Sequence, residues 1–294
     1  MQGFSFVSNI YRWNGIENLS EVLERANKLG FGAIELGPTY TVDEAAVEQV
    51  RQAGMRVSNF IFCRNLLSPN TTAAEELAAT ALERVRLAAR TGVPVVVLCG
   101  GYRYPCADLD ARDSYATVRR PPVDNLEPFL RAYGPIVNEA EKHSVRVAFE
   151  HCPLMGNWLI APELWSLAFE RLGSAYAGLC FDPSHLIWQF IDVDFAYETF
   201  ADRVFHIHAK DTEMSRACLS RRGILTDFSW WEGRLPGSGE LNWTRFFARV
   251  KSGGYAGYIS VEHEDPTWNG TPELVDRGLS YALVHLRRAW EEAD

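Results

Sequence analysis

The chain has 294 residues, of which 47% are apolar and 23% are charged, and its formal net charge at pH 7 is −9. This length and composition predict a globular protein with a large buried core. The acidic balance provides no general attraction for a phosphate backbone or for anionic lipid, so it argues against nucleic acid and membrane surfaces as partners.

The N-terminal segment, the lack of a long apolar run and the cysteines together indicate a cellular compartment. The N-terminal segment MQGFSFVSNI lacks the basic start and the long apolar run of a secretory signal, and no stretch approaches the ~18 apolar residues that a membrane span needs. Six cysteines occur without a CxxC pair, and several lie in apolar runs where a thiol behaves as a small buried hydrophobe. We therefore predict a cytoplasmic protein with reduced thiols.

A helical pattern, a glycine and a short apolar strand recur along the chain. The segment LSEVLERANKL has the spacing of an amphipathic helix, Gly30 is typical of a helix end, and the apolar segment GAIELGPT follows. Thr72 with Glu75 predicts a capping box at the start of the third helix, and Thr271 with Pro272 predicts the start of the last one. The repeated pattern predicts strands near residues 4–9, 32–38, 56–62, 94–100, 146–152, 176–182, 204–210 and 257–263.

Alternating strands and helices in this number predict a single-domain (β/α)8 TIM barrel over residues 1–294. An open doubly wound sheet is disfavoured, because no GxGxxG or P-loop motif follows the first strand. The connections 101–123 after strand four and 212–242 after strand seven are too long for plain loops. Both leave the C-terminal ends of strands, where barrel enzymes build their sites, so we predict that they form lids or walls.

Four polar residues lie near the ends of strands five to eight: Glu150 in VAFEHCP, Asp182 in LCFDPSH, His208 in FHIHAKD and Glu262 in YISVEHED. Their neighbours in sequence are apolar, so alternation directs the polar groups towards the barrel axis. Three carboxylates in one small volume repel one another unless a cation is present. The set predicts a divalent metal site for Mn²⁺ or Mg²⁺, with Co²⁺ or Zn²⁺ as alternatives.

The segments EHCP, DPSH, HIHAKD, PGSGELNW and VEHED, in this order, resemble the xylose isomerase-like TIM barrel family. This family of sugar isomerases and epimerases also contains inosose dehydratases and endonuclease IV. The resemblance implies a divalent metal, often Mn²⁺, held by Glu150, Asp182, His208 and Glu262. It further implies that the two glutamates act as the acid/base pair on opposite faces of the substrate.

The same resemblance implies substrate contacts. His185, three residues after the metal-ligand aspartate, matches a residue that contacts a substrate oxygen. Arg234 matches an arginine that reaches the substrate, although residues 212–233 before it look like an insertion. We place both residues in the predicted substrate site.

Further polar residues surround the predicted ligands. In VFHIHAKD, alternation puts Phe205 on the helix-facing side of the strand and His206 on the axis side, where it supports the site from below. Lys210 lies at the barrel mouth and either contacts a substrate oxygen or balances the carboxylates. Glu35 is expected to have a supporting role. His151 adjoins a ligand but, by alternation, points away from the axis.

Tryptophans follow several strands, and we predict that Trp13, Trp158 and Trp188 contact substrate. A flat aromatic face suits the C–H face of a sugar ring, and it also suits a protein interface. We favour a small carbohydrate as the partner, with a homo-oligomer or hetero-oligomer interface as the alternative for some of these rings.

The site suits proton transfer next to a carbonyl through a metal-stabilised enediolate, which predicts an isomerase or epimerase of a ketose or keto-sugar. The alternative is a lyase of the same family, either an inosose-type dehydratase or a β-eliminating enzyme of 3-keto-glycosides. An endonuclease IV-like phosphodiesterase is disfavoured, because NFIFCRN and VLCGGY lack the additional histidines of its metal cluster. A non-catalytic sugar-binding protein is disfavoured by the four intact ligands.

Overall fold

A computed structural model of the protein describes residues 1–104, 122–154, 156–224 and 229–294. Its strands are β1 (Gly3–Phe6), β2 (Ala33–Leu36), β3 (Arg56–Ile61), β4 (Val95–Cys99), β5 (Arg146–Glu150), β6 (Ala177–Phe181), β7 (Val204–Ala209), β8 (Asp211–Met214), β9 (Trp231–Arg234) and β10 (Tyr258–Val261). Strands β1 to β7 and β10 correspond to the eight predicted strands, each within a few residues of its predicted bounds.

These eight strands are parallel and form a closed barrel. They pair in the order β1, β10, β7, β6, β5, β4, β3 and β2. The circle is completed by a parallel bridge between Val7 and Glu35, next to which the Ser8 amide donates a hydrogen bond to the Glu35 carbonyl oxygen at 3.2 Å. The predicted TIM barrel is confirmed.

Helices surround the barrel: α1 (Asn9–Trp13), α2 (Leu19–Leu29), α3 (Glu44–Gln52), α4 (Thr71–Thr91), α5 (Leu126–Lys142), α6 (Pro162–Leu172), α7 (Pro183–Ile187), α8 (Val193–Phe200), α9 (Arg216–Arg222), α10 (Trp243–Ser252) and α11 (Pro272–Glu292). In the described part of the chain, none of these helices has both the length and the apolar character that crossing a bilayer requires.

The two predicted helix starts have different outcomes. The Thr271 side chain accepts a hydrogen bond from the Leu274 amide at the start of α11, as predicted. The prediction for α4 was wrong, because this helix begins two residues earlier and Asn70 caps it by accepting a hydrogen bond from the Ala73 amide. An asparagine side chain can accept a hydrogen bond from the free amides of a first turn as well as a threonine can. Asn70 therefore serves as the N-cap, and α4 begins before the predicted capping box.

A register irregularity in β7 changes one predicted side-chain direction. Leu179 of β6 pairs with Val204, but the next residue of β6 pairs with His206, which leaves Phe205 as an extra residue. Phe205 therefore packs inside the barrel with Val97 and Cys180, instead of facing the helices as alternation predicted. His206 and His208 still face the axis. The bulge therefore changes the predicted side-chain direction at the start of β7 but not at its C-terminal end.

Part of the long connection after β7 forms a hairpin. Strands β8 and β9 are antiparallel, with Asp211 opposite Arg234 and Met214 opposite Trp231, and α9 lies between them. This hairpin forms a wall beside the C-terminal end of the barrel. Most of the predicted lid after β4, residues 105–121, lies outside the described residues.

Candidate metal centre

The four predicted ligands converge at the C-terminal end of the barrel. His208 Nδ1 lies 2.9 Å from Glu150 Oε2 and 3.5 Å from Glu262 Oε2. Asp182, His208 and Glu262 each offer a ligand atom, and these three atoms lie within 4.8 Å of one another. The residues come from β5, the residue after β6, β7 and the residue after β10, so the strand ends bring them together.

The buried polar atoms of these residues fit a bound cation. Glu150 Oε2, Asp182 Oδ2 and His208 Nδ1 are buried, and none of them forms a well-oriented hydrogen bond with a described residue. Unsatisfied polar atoms are rare in protein interiors, and three together indicate a missing partner. Carboxylate oxygens with one imidazole nitrogen are the donors that Mn²⁺ or Mg²⁺ prefers. These residues therefore fit the divalent metal that the sequence predicts.

The charges of the centre also indicate a place for a cation. Burial raises the pKa of Asp182 to about 8; the Lys210 ammonium opposes this shift, and the negative charges of Glu150 and Glu262 add to it. Burial alone would raise the pKa of Glu262, but the charges of Lys210 and then His208 outweigh burial and hold the pKa well below its ordinary value. The carboxylates thus compete for too little positive charge, which a dication would supply.

Lys210 lies among the ligands instead of at the rim. Its Nζ is 3.0 Å from Asp182 Oδ2, 2.5 Å from Glu262 Oε2 and 3.1 Å from Glu264 Oε2. Burial alone would lower the pKa of Lys210, but the three carboxylates, Asp182 first, raise it well above its ordinary value. Balancing the carboxylates, one of the two predicted roles, is therefore visible in the structure. Glu264 is a partner that the sequence did not suggest.

His185 lies at the edge of the same group. Its Nε2 is 3.2 Å from Asp182 Oδ2, 3.7 Å from Glu150 Oε1 and 3.2 Å from Lys210 Nζ. Burial lowers the pKa of His185 well below its ordinary value, and the charge of Lys210 acts in the same direction. A neutral imidazole in this position can exchange hydrogen bonds with a substrate hydroxyl.

A buried polar network supports the centre from below. Glu35 is fully buried and both its carboxylate oxygens lie 3.2 Å from His208 Nε2. The same carboxylate lies 2.9 Å from His206 Nε2 and accepts a hydrogen bond from Asn59 Nδ2 at 2.7 Å. Since Nε2 of His208 faces Glu35, its Nδ1 faces the ligands. A carboxylate behind a metal-binding histidine commonly fixes the orientation of the ring.

Two sets of side-chain contacts that sequence reasoning missed hold the segments that carry the ligands. His151 does point away from the axis, but its Nε2 accepts a hydrogen bond from the Asp182 amide at 3.0 Å. Asn157 donates to the Glu150 carbonyl oxygen at 2.7 Å and accepts from the Gly100 amide at 2.9 Å, so it ties the end of β4 to the end of β5. These contacts join loops that are distant in sequence, and no local sequence pattern predicts them.

The predicted aromatic contacts divide into three environments. Trp13 is 61% exposed, whereas Trp188 is buried and stacks on Trp231 at 4.7 Å. Trp158 has no exposed surface and packs edge-on against Phe129 in the core. A fully buried ring offers no face to a sugar, so Trp158 is removed from the predicted substrate surface.

Arg234 lies in β9 and is held by three carboxylates. Its guanidinium lies 2.7 Å from Glu213, 2.6 Å from Glu232 and 3.2 Å from Asp265. The pairs with Glu213 and Glu232 lie within the wall hairpin, and the pair with Asp265 joins that hairpin to the loop after β10. A substrate contact from Arg234 stays a prediction.

Comparison with known proteins identifies the family to which this fold belongs. Residues 23–285 match the family described as the xylose isomerase-like TIM barrel. The chain belongs to that family. The D-psicose 3-epimerase of Clostridium cellulolyticum H10 superposes with a TM-score of 0.75 at 16% identity, covering 99% of each chain. An L-ribulose 3-epimerase gives a TM-score of 0.73 at 16% identity, covering 99% of this chain and 95% of that one.

Among relatives by sequence, an inosose dehydratase of Lactiplantibacillus plantarum is 28% identical over 161 residues, which are 53% of this chain and 52% of the relative. The match thus spans about half the length of this curated relative. These comparisons agree with the xylose isomerase-like barrel that the sequence predicts.

Proposed function

We propose that this protein is a divalent-metal-dependent isomerase or epimerase of a ketose or keto-sugar. The observation that carries the proposal is the convergence of Glu150, Asp182, His208 and Glu262 from four neighbouring strands. Three of their buried ligand atoms form no well-oriented hydrogen bond with a described residue. Mn²⁺ is the proposed metal. When bound, a divalent cation would draw electrons from a substrate carbonyl and so acidify the neighbouring C–H bond.

Glu150 and Glu262 are the proposed acid/base pair. Both approach the same nitrogen of His208, at 2.9 and 3.5 Å, from β5 and from the end of β10. Burial alone would raise the pKa of Glu150, but its contact with His208 and the charge of that ring lower it, so the carboxylate is ionised and able to accept a proton. Return of a proton to the opposite face of the same carbon gives epimerisation, and return to the neighbouring carbon gives isomerisation.

His185 and Lys210 are proposed to hold substrate oxygens. The neutral imidazole can bind a hydroxyl, and the ammonium can attract the oxygen on which negative charge develops. Both groups lie within contact distance of Asp182, so a sugar bound there would reach the acid/base pair. Exposed Trp13 and the stacked Trp188 are the proposed aromatic contacts for the rest of the ligand.

The direct test is incubation with ketoses, inososes and 3-keto-glycosides in D₂O with Mn²⁺, followed by NMR. Deuterium that enters a C–H position while the carbon skeleton and its substituents are retained indicates isomerisation or epimerisation. If the metal-loaded protein exchanged no C–H proton in any of these compounds and converted none of them, the proposed chemistry would be wrong.

A matched pair of variants tests the proposed base. Glu150→Gln should leave a folded protein and abolish turnover, because an amide cannot accept the proton. Glu76→Gln on the exposed face of α4 should behave as the parent. Normal turnover by Glu150→Gln on a substrate of the parent would refute the assigned role.

A lyase is the second candidate, and the similarity to inosose dehydratases favours it. The first step is the same proton removal, but a β-hydroxyl or a β-linked aglycone then leaves. Release of water or aglycone in the D₂O experiment would select this alternative.

A further inference from the structure

The end of the barrel opposite the metal centre contains two adjoining cavities of about 710 and 550 Å³. They share Gln2, Arg56 and Tyr258, which lie at the N-terminal ends of β1, β3 and β10. Arg287 also lines the larger cavity and Arg51 the smaller one. We call the two cavities together the basal basin. Each has the volume of a typical small-molecule site.

The basal basin gathers positive charge. Three arginines line it, and its acidic lining residue is Glu291. Within the described chain the Arg56 guanidinium forms no ion pair with a carboxylate and donates no hydrogen bond. Arg287 and Arg51 each donate one N–H to a helix-end carbonyl, and Glu48 lies 3.9 Å from Arg51. A guanidinium has five N–H donors, so Arg287 and Arg51 each keep most of their donors for a ligand.

This concentration is unexpected in a chain with a net charge of −9. Elsewhere on the surface an arginine such as Arg90 is paired with two glutamates, at 2.9 Å each. Like charges gathered in a cleft repel one another, and the cleft focuses their field on any anion that enters. Planar guanidinium groups match phosphate oxygens in pairs of parallel hydrogen bonds.

We propose that the basal basin binds the phosphate group of a small phosphorylated metabolite. The cavities are much larger than a phosphate ion, so an organic phosphate would fill more of the basin than inorganic phosphate does. Because the basin lies at the N-terminal ends of the strands, it is separate from the centre where catalysis is proposed. A ligand here would act as an effector or stabiliser, not as the substrate of that centre.

The test is titration calorimetry of the Mn²⁺-loaded full chain at constant ionic strength, with inorganic phosphate and glycerol 3-phosphate in separate arms. We expect both compounds to bind, and glycerol 3-phosphate to bind more tightly than inorganic phosphate. Arg56→Gln should weaken binding by about tenfold or more, since it removes a charged double donor. Glu291→Gln should tighten it, because a repelling carboxylate is lost. Arg288→Gln is the matched control, since this arginine pairs with Glu292 at 2.8 Å and does not line the basin.

The proposal is overturned if neither compound binds with a Kd below ~10 mM, or if Arg56→Gln and Arg288→Gln bind phosphate as tightly as the parent. Arg56→Gln should fold normally, because its guanidinium supports no other described residue; if it did not, Arg287→Gln would replace it. Turnover without phosphate should be unchanged in Arg56→Gln, which keeps this test independent of the proposed catalytic function.

Discussion

Replacing Glu35 with glutamine should weaken the metal centre although no proposed metal ligand is itself replaced. The Glu35 carboxylate accepts a hydrogen bond from Asn59 and faces both His206 and His208 at 2.9 to 3.2 Å. Burial alone would raise the pKa of Glu35, but the charge of His208 and the hydrogen bonds from both histidines outweigh it and lower the pKa. The native group is therefore an anion that satisfies several buried donors.

The magnitude follows from what the amide cannot do. In Glu35→Gln one oxygen becomes an NH₂ group, so at least one buried N–H faces another donor, at a cost of about 1–3 kcal/mol. For a chain of this size each kcal/mol lowers the Tm by about 2 °C, which gives a loss of roughly 2–6 °C. His208 also loses its orienting partner, and Mn²⁺ affinity should fall by about 10- to 100-fold.

Differential scanning calorimetry without metal and isothermal titration with Mn²⁺ measure the two effects separately. Glu76→Gln, which makes the same chemical change on an exposed helix face, is the control for both. Parent-like Tm and Mn²⁺ affinity in Glu35→Gln would show that the network does not support the centre.

Three further predictions concern packing and charge. Gly178→Ala should destabilise the fold by about 2 kcal/mol or more, because a Cβ there would overlap the Arg203 carbonyl oxygen and the ring of Phe205. Gly32→Ala is the control: the space around Gly32 is open, so this change should alter the free energy of unfolding by less than about 0.5 kcal/mol. Urea denaturation of the two variants measures the difference. Asn157→Ala should cost about 1–3 kcal/mol in the same assay, since buried amides and carbonyls lose their partner. Lys210→Met should lower the Tm of metal-free protein and enlarge the Tm gain on adding Mn²⁺, because the carboxylates lose their counter-charge; an unchanged gain would contradict the charge balance described above.

Much of the architecture follows from local sequence signals. Most βα units repeat a helical pattern, a glycine after the helix and an apolar strand, and eight alternating units of this kind are typical of a closed barrel. Because side chains alternate along a strand, a polar residue at the C-terminal end of β5 or β7 is directed to the axis by its neighbours alone. The positions of Glu150 and His208 could therefore be predicted without any long-range information.

Features that depend on contacts between distant segments could not be predicted in this way. The bulge that turns Phe205 inward depends on the pairing of β7 with β6. Trp158 follows a strand, as a sugar-binding ring would, yet its loop folds back and buries it against α5. His151 was correctly expected to point away from the axis, but its hydrogen bond to the Asp182 amide depends on a neighbouring strand end.

The central claim is that one divalent cation joins the side chains of Glu150, Asp182, His208 and Glu262. A crystal grown with Mn²⁺ and measured above the manganese absorption edge tests this most directly. We predict one strong anomalous peak per chain, within bonding distance of all four side chains. A protein that binds no Mn²⁺ in the crystal or by calorimetry, or one whose only anomalous peak lies away from these residues, would contradict the account.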